Sequence, residues 1–183
     1  MKRWVVTSAV AAMLAALSPR ARAADAPSTL GVGLGYVKAS SIDPTIFFSG
    51  DFRFHLGKHV AFSPEVSYWK KSAQNVVVEA SVSDLQFGVN MLGVVRPTSK
   101  VEVFLGGGGG VHQIGGAVAV SSLQASETIT KGGADALGGL TLEVADDLGF
   151  FLSARYDWVL GVGGSDPRRL DQYKFSGGFR LRF

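Results

Sequence analysis

A chain of 183 residues with no cysteine cannot use disulfides, cannot hold a zinc–thiolate site and offers no cysteine to a lipid anchor. Its formal charge of +3 belongs to its first 23 residues, where Lys2, Arg3, Arg20 and Arg22 stand with no acid. The remainder carries about −1, which excludes a nucleic-acid binder.

Those first residues read as a secretory signal. Lys2 and Arg3 precede an apolar run from Trp4 to Leu17 broken only by Thr7 and Ser8. The run is too short for the roughly 20 apolar residues of a membrane helix, which argues against an anchor. Ala21-Arg22-Ala23 supplies the small residues a signal peptidase reads, so cleavage is expected after Ala23, with Ala24 and Ala26 as alternatives. Residues 24–183 then form one domain of about 160 residues. Nothing in them is apolar for long enough to be a membrane helix, so any spanning structure must be a closed barrel.

Alternation with a period of two recurs along this domain and predicts eight strands of membrane-spanning length. The first is Leu30 to Lys38, with Leu30, Val32, Leu34 and Tyr36 on one face. The second, Thr45 to His55, turns Ile46, Phe48, Phe52 and Phe54 outward and Asp51, Arg53 and His55 inward. The third, His59 to Trp69, has Val60, Phe62, Val66 and Tyr68 outward and Glu65 inward. The fourth, Ser83 to Arg96, shows Leu85, Phe87, Val89, Met91 and Val95 outward. The fifth starts at Lys100 and reaches about His112 or beyond, with Val101, Val103, Leu105 and Val111 outward. The sixth is Ala134 to Val144 and the seventh Leu148 to Leu160. The eighth runs from Tyr173 to Phe183, where Tyr173, Phe175, Phe179, Leu181 and Phe183 alternate with Lys174, Arg180 and Arg182.

Short and long connections alternate. Leu56-Gly57-Lys58, Pro97-Thr98-Ser99 and Ala145-Asp146-Asp147 are tight turns; residues 39–44, 70–82, 115–133 and 161–171 are longer and mostly polar. That segregation is expected of short periplasmic turns and longer external loops. The three turns predict registers pairing Phe54 with Val60, Val95 with Val101 and Val144 with Leu148. Carried up the strands, these set Phe52 opposite Phe62, Phe87 opposite Gly109 and Asp84 opposite His112. Aromatics fall at both strand ends. Tyr36, Tyr68, Trp69, Tyr156, Trp158 and Tyr173 lie near the long loops, and Phe54, Phe62, Phe150, Phe179 and Phe183 near the short turns, as two interfacial belts would.

The inward positions are rich in ionisable residues: Asp51, Arg53, His55, Glu65, Asp84, Glu102, His112, Asp135, Glu143, Arg155, Asp157, Lys174, Arg180 and Arg182. Both signs are present, so mutual pairing can satisfy them, and an eight-stranded barrel has an interior just wide enough for side chains to fill. A salt-bridged, plugged lumen is the expectation, ahead of a conducting lumen. Other chemistry is thin. Gly106 to Gly110 lacks the Lys-Ser/Thr and helix of a phosphate loop and reads as strand glycines allowing close approach. His55, His59 and His112 offer no metal-ligand spacing, and no cofactor is expected. Asp84–His112 is the one catalytic pair worth weighing, and an ion pair is the simpler reading. Arg168-Arg169 could meet lipopolysaccharide phosphates, or simply be solvated.

The signal, the eight alternating segments and the ending Tyr173-Lys-Phe-Ser-Gly-Gly-Phe-Arg-Leu-Arg-Phe183 resemble the small bacterial outer-membrane β-barrel superfamily. That group holds opacity-like surface antigens, the X-type and W-type outer-membrane proteins and the barrel half of outer-membrane protein A. The resemblance implies an eight-stranded, antiparallel, up-and-down transmembrane β-barrel, monomeric, surrounded by outer-membrane lipid and lipopolysaccharide. It also implies that Tyr173, Phe179, Leu181 and Phe183 form the strand that barrel-assembly machinery reads. No peptidoglycan-binding domain is expected beyond Phe183, and the modest loops weaken an adhesin reading. The function implied is a non-enzymatic envelope protein with a structural or surface-interaction role. Alternatives are a narrow channel or transporter for small solutes, hydrophobic ones included, a lipid A-modifying enzyme and a soluble ligand-binding barrel.

Overall fold

The computed structural model describes residues 27–40, 42–74, 78–120, 123–160 and 170–183. The signal segment and Arg168-Arg169 lie outside the described residues. Eight antiparallel strands follow one another round a closed barrel: β1 Thr29–Ala39, β2 Thr45–His55, β3 Val60–Gln74, β4 Val78–Thr98, β5 Val101–Val120, β6 Leu123–Ala145, β7 Leu148–Val159 and β8 Gln172–Arg182. β8 closes onto β1 along its whole length, from Thr29↔Arg182 to Ala39↔Gln172, and the Phe183 amide donates to the Ser28 carbonyl at 3.1 Å. Closure leaves no sheet edge around the body of the barrel.

Alternation sets the two faces. Leu30, Val32, Leu34, Tyr36, Phe48, Val103, Leu105, Leu152, Phe175, Phe179 and Leu181 are exposed on the outside, whereas the charged residues between them are buried inside. Phe52 lies on the outer face yet is only 6% exposed, because the Phe54 and Phe183 rings lie against it at 4.2 and 5.4 Å. Phe150–Phe179 stack edge-on at the short-turn end, and Tyr156 meets Trp158 and Tyr173 at the other. Each such pair contributes about 0.5–1.5 kcal/mol beyond area burial.

The faces follow the sequence; two registers do not. Phe54, not Phe52, stands opposite Phe62, and the Leu56 amide donates to Val60. Gly57, at φ 138°, lets the chain turn through Gly57, Lys58 and His59 rather than one residue sooner. Val95 pairs with Val103 and Phe87 with Val111; Gly109 faces Val89, and Asp84 has Ile114 as its backbone partner. A register shift between Val95 and Thr98 absorbs the extra residues of that turn. Both slips are by two, which preserves every side chain's face, so the hydrophobic pattern cannot tell the registers apart. In the third hairpin Glu143↔Gly149 and all pairs above keep the expected register, but a shift at the turn sets Leu148 opposite Ala145 instead of Val144.

Two expected loops are strands instead. Residues 70–74 and 78–82 continue β3 and β4, and residues 115–120 and 123–133 continue β5 and β6. Ladders from Gln74↔Glu79, Val78↔Val120 and Val120↔Leu123 join all four into one sheet that rises past the ends of the other strands. Its Gly, Ala, Ser and Thr residues look like loop in isolation. Pairing with neighbours, not side-chain propensity, makes them strand.

The glycines from Gly106 to Gly110 sit inside this sheet. A Cβ on Gly106, Gly108 or Gly110 would overlap β4 carbonyls at Met91, Val89 and Phe87. Only glycine permits that approach.

Candidate functional site

The chemistry of this chain is concentrated inside the barrel, where inward positions of all eight strands meet. At the short-turn end Glu102 accepts from Arg53 at 2.7 Å and from Arg96 at 2.8 and 3.0 Å. His55 Nε2 stands 3.4 Å from the same carboxylate, and its Nδ1 lies 3.0 Å from the Pro27 carbonyl. Arg182 and Glu143 pair beside this cluster. Arg96 has the inward parity of β4 and belongs to the network, though its place next to the turn hides it from sequence reading.

One layer further in, Arg180 donates to Asp51 at 2.9 Å and to Thr29 at 3.1 Å. A Cβ on Gly31 would collide with Asp51 Oδ1, so this ion pair requires glycine there. Arg155 of β7 then crosses to Glu65 of β3, the strand diametrically opposite. With the Asn90 amide oriented to donate to Asp135 at 2.7 Å, its oxygen accepts from Arg155 at 3.1 Å.

Above that, Lys174 pairs with Asp157 at 2.8 Å and donates to Ser67 at 3.2 Å and to Gln86. Gln86 in turn donates to Asp157 at 3.3 Å. The last polar layer joins Asp84 to His112 Nδ1 at 2.9 Å and to Gln172 at 2.7 Å, and Trp69 Nε1 donates to Gln172 at 3.2 Å. The expected Asp84–His112 contact thus forms as a diagonal pair, with Gln86 the backbone partner of His112. His112 Nε2 faces Gly133, where a Cβ would displace it.

Trp69 is therefore no girdle residue: it is 2% exposed and inside the barrel, as its place beside outward Tyr68 requires. Among the described residues it is one of four aromatics that line the interior, with Phe47, Phe104 and Phe151. Arg53 lies over Phe104 at 4.2 Å, Arg180 over Phe151 at 5.2 Å and Lys174 over Phe47 at 5.8 Å. Desolvated cation–π contacts of this kind contribute about 2 kcal/mol. Sequence reading overlooks Phe47, Phe104 and Phe151, although each holds an inward position between two outward apolar residues.

Apolar clusters flank the charges. Ala61, Leu92, Val94, Phe104 and Leu137 pack toward the short turns, while Val37, Ala39, Phe47 and Trp69, with Ile42 and Val82, pack toward the opposite mouth. At mid-barrel a space of about 30 Å³ is lined by Asp51, Arg53, Glu65, Arg155, Lys174 and Arg180 among others. A second, near Glu102, Glu143 and Arg182, measures about 20 Å³. Either has room for about a single water molecule. Among the described residues no group of three or more histidine or acidic side chains is arranged to hold a metal ion.

A family model described as outer membrane protein beta-barrel domain matches residues 7–183. No curated protein matches the chain by sequence. Among solved structures, Neisserial surface protein A is 16% identical with a TM-score of 0.62, over 85% of this chain and 97% of that one. A major outer membrane protein from Thermus thermophilus is 11% identical with a TM-score of 0.64, over 87% and 100%. The attachment invasion locus protein Ail of Yersinia pestis, bound to the heparin analogue sucrose octasulfate, is 12% identical with a TM-score of 0.56, over 85% and 97%. At these identities the likeness is one of fold. With its closed eight-stranded barrel, apolar outer face and polar interior, this chain belongs to the outer membrane protein β-barrel domain family.

Proposed function

We propose that the chain is a monomeric surface-display barrel, delivered to the outer membrane by a signal removed after Ala23, whose lumen is plugged by its own paired charges. The observation that carries the plugged reading is the Arg155–Glu65 pair across the barrel diameter, beside a space of about 30 Å³. Lys174–Gln86 and Gln172–Asp84 also join opposite strands at two further levels. A solute would have to break several buried ion pairs in series, each costing about 3–5 kcal/mol. The display reading is supported by the four-stranded sheet that rises beyond the barrel at the long-loop end. It is also supported by the surface-protein and attachment names of two structural relatives.

The reading is non-enzymatic. Asp84 and His112 are each 1% exposed, His112 Nδ1 is taken up by Asp84, and Nε2 abuts Gly133, so the pair is buried away from both solvent and lipid. The partners proposed are outer-membrane lipid and lipopolysaccharide around the outer face, and the assembly machinery, which reads Tyr173, Phe179, Leu181 and Phe183 on the closing strand. Swelling of liposomes holding the refolded barrel tests the plug. Swelling rates in small sugars should equal those of empty liposomes; faster, size-dependent swelling would replace the plugged reading with a channel.

A further inference from the structure

The outer face of the barrel is not uniformly bulky. Large apolar side chains cover most of it, but on two neighbouring strands one outward position is nearly bare. On β7, Ala154 lies between Leu152 and Tyr156, and on β8, Gly177 lies between Phe175 and Phe179. Register brings the two gaps together. Gly177 pairs with Leu152 and with Leu34, Ala154 pairs with Phe175, and on β6 Gly138 pairs with Ala154. The result is an apolar trough of about 610 Å³ bordered by Leu34, Tyr36, Gly138, Leu152, Ala154 and Gly177.

Sheet packing does not demand small residues here. A Cβ on Gly138 would meet Leu105 Cδ1 at 3.1 Å, and one on Gly177 would meet Leu152 Cδ2 at 3.0 Å. Both are free ends of side chains that can swing aside, and the nearest backbone atoms stand at 3.4 and 3.5 Å. Close strand approach explains Gly106, Gly108 and Gly110; it does not explain these positions.

The trough opens toward the long loops. Above Gly138 the outward residues of β6 are Ala136 and Ala134, beside Gly107 and Gly109 of β5, so the low path continues to that end. Below, Leu140, Leu142 and the edge-on Phe150–Phe179 pair block it toward the short turns. Its width is set by the strands. Residues four apart along a strand are about 13 Å apart at Cα, and the flanking side chains narrow that gap further. An α-helix with side chains, about 10–12 Å across, is too wide to enter. A second barrel presents a convex face, which rests on the walls of the trough rather than its floor. A single hydrocarbon chain fits, and the trough is continuous with the lipid-facing surface around it.

We propose that this trough holds one acyl chain of an outer-leaflet lipid as a fixed occupant, entering from the long-loop end. This rests on the reading of the outer face as lipid-facing and names a particular place on it. Lipid tails are as apolar as the trough, so burial from water contributes nothing to the preference. Contact does. A chain lying between two walls and a floor touches more atoms than one lying on a convex face. On the order of ten extra atom pairs gives a roughly tenfold preference over the rest of the surface.

For the test, the barrel is refolded into vesicles containing a disaturated phosphatidylcholine with a photoreactive diazirine on one chain, near the headgroup in one preparation and near the methyl end in another. Adducts are located by mass spectrometry. Labelling of the β6–β8 face should exceed that of the exposed Phe87, Val89 and Met91 on β4 by roughly tenfold. The headgroup-end probe should mark β6 at Ala134 and Ala136, and the methyl-end probe should mark β8 and β1 at Gly177 and Leu34. Ala154→Leu should level the two faces, while Val89→Leu leaves the contrast intact; unboiled gels check that both variants are folded. Even labelling of both faces, or a contrast that survives Ala154→Leu, would overturn the site and leave the lipid-facing surface standing. Labelling of neither face would remove both readings. A reversed depth order would put the chain in the other leaflet, and disulfide dimers of Ala154→Cys would give the trough to a second copy; either result overturns the proposal.

Discussion

Replacing Arg155 with methionine removes the cation that crosses the barrel. Among the described residues Glu65 has no other ion-pair or side-chain hydrogen-bond partner, and Asn90 loses the donor to its carbonyl. The carboxylate would be left beside a space of about 30 Å³, which holds about one water molecule and not a full hydration shell. Breaking a buried pair from one side costs about 3–5 kcal/mol. For a urea dependence near 2 kcal/mol per molar, a loss of 4 kcal/mol moves the unfolding midpoint of the vesicle-reconstituted barrel down by about 2 M. Removing both charges, as Glu65→Leu with Arg155→Met, should recover most of that loss, since well-packed apolar residues replace a buried pair at little net cost. The assay is tryptophan fluorescence across a reversible urea titration of the parent, both single variants and the double. Single variants that lose less than about 1 kcal/mol would mean that Glu65 is solvated and the interior is wet.

Four further outcomes are expected. Gly31→Ala should destabilise by about 1–3 kcal/mol, because its Cβ displaces the Asp51 carboxylate from Arg180; the same urea titration reads it. In a chain expressed without residues 1–23, Trp158→Phe leaves Trp69 as the single tryptophan; brominated lipid should fail to quench it, whereas Trp158 in a Trp69→Phe variant should be quenched strongly. Paired cysteines test the register, since the natural chain has none: Phe54→Cys with Phe62→Cys should oxidise to a disulfide, and Phe52→Cys with Phe62→Cys should not. Deleting Phe183 should reduce assembly in cells, measured as folded barrel on unboiled gels, far more than it lowers the stability of barrel refolded in vitro. Equal losses in both would count against a role in recognition.

The sequence carries face far better than register. Each of Phe54, Phe62, Phe87 and Val95 takes its side from the parity of its strand, which any single hydrophobic alternation fixes. Which residue then stands opposite depends on how many residues the turn consumes. That count hangs on Gly57 adopting a positive φ and on a bulge after Val95, neither of which has a hydrophobic signature. Strand extent fails for a related reason. Residues 115–133 are poor strand formers singly and are held by ladders on neighbours far away in sequence. Inside the barrel, the charged members are legible because a charge on the inward parity of an otherwise apolar strand has no other explanation. The neutral amides Gln86, Asn90 and Gln172, the aromatics Phe47, Phe104 and Phe151, and Arg96 beside its turn carry no such flag. They are recognisable only once opposite strands are brought face to face.

Conductance of the refolded barrel in a planar lipid bilayer bears most directly on the claim that paired charges close the lumen. The account predicts a silent membrane at moderate voltage, with no steps above background. Steady, voltage-independent single-channel steps from the parent protein would contradict it.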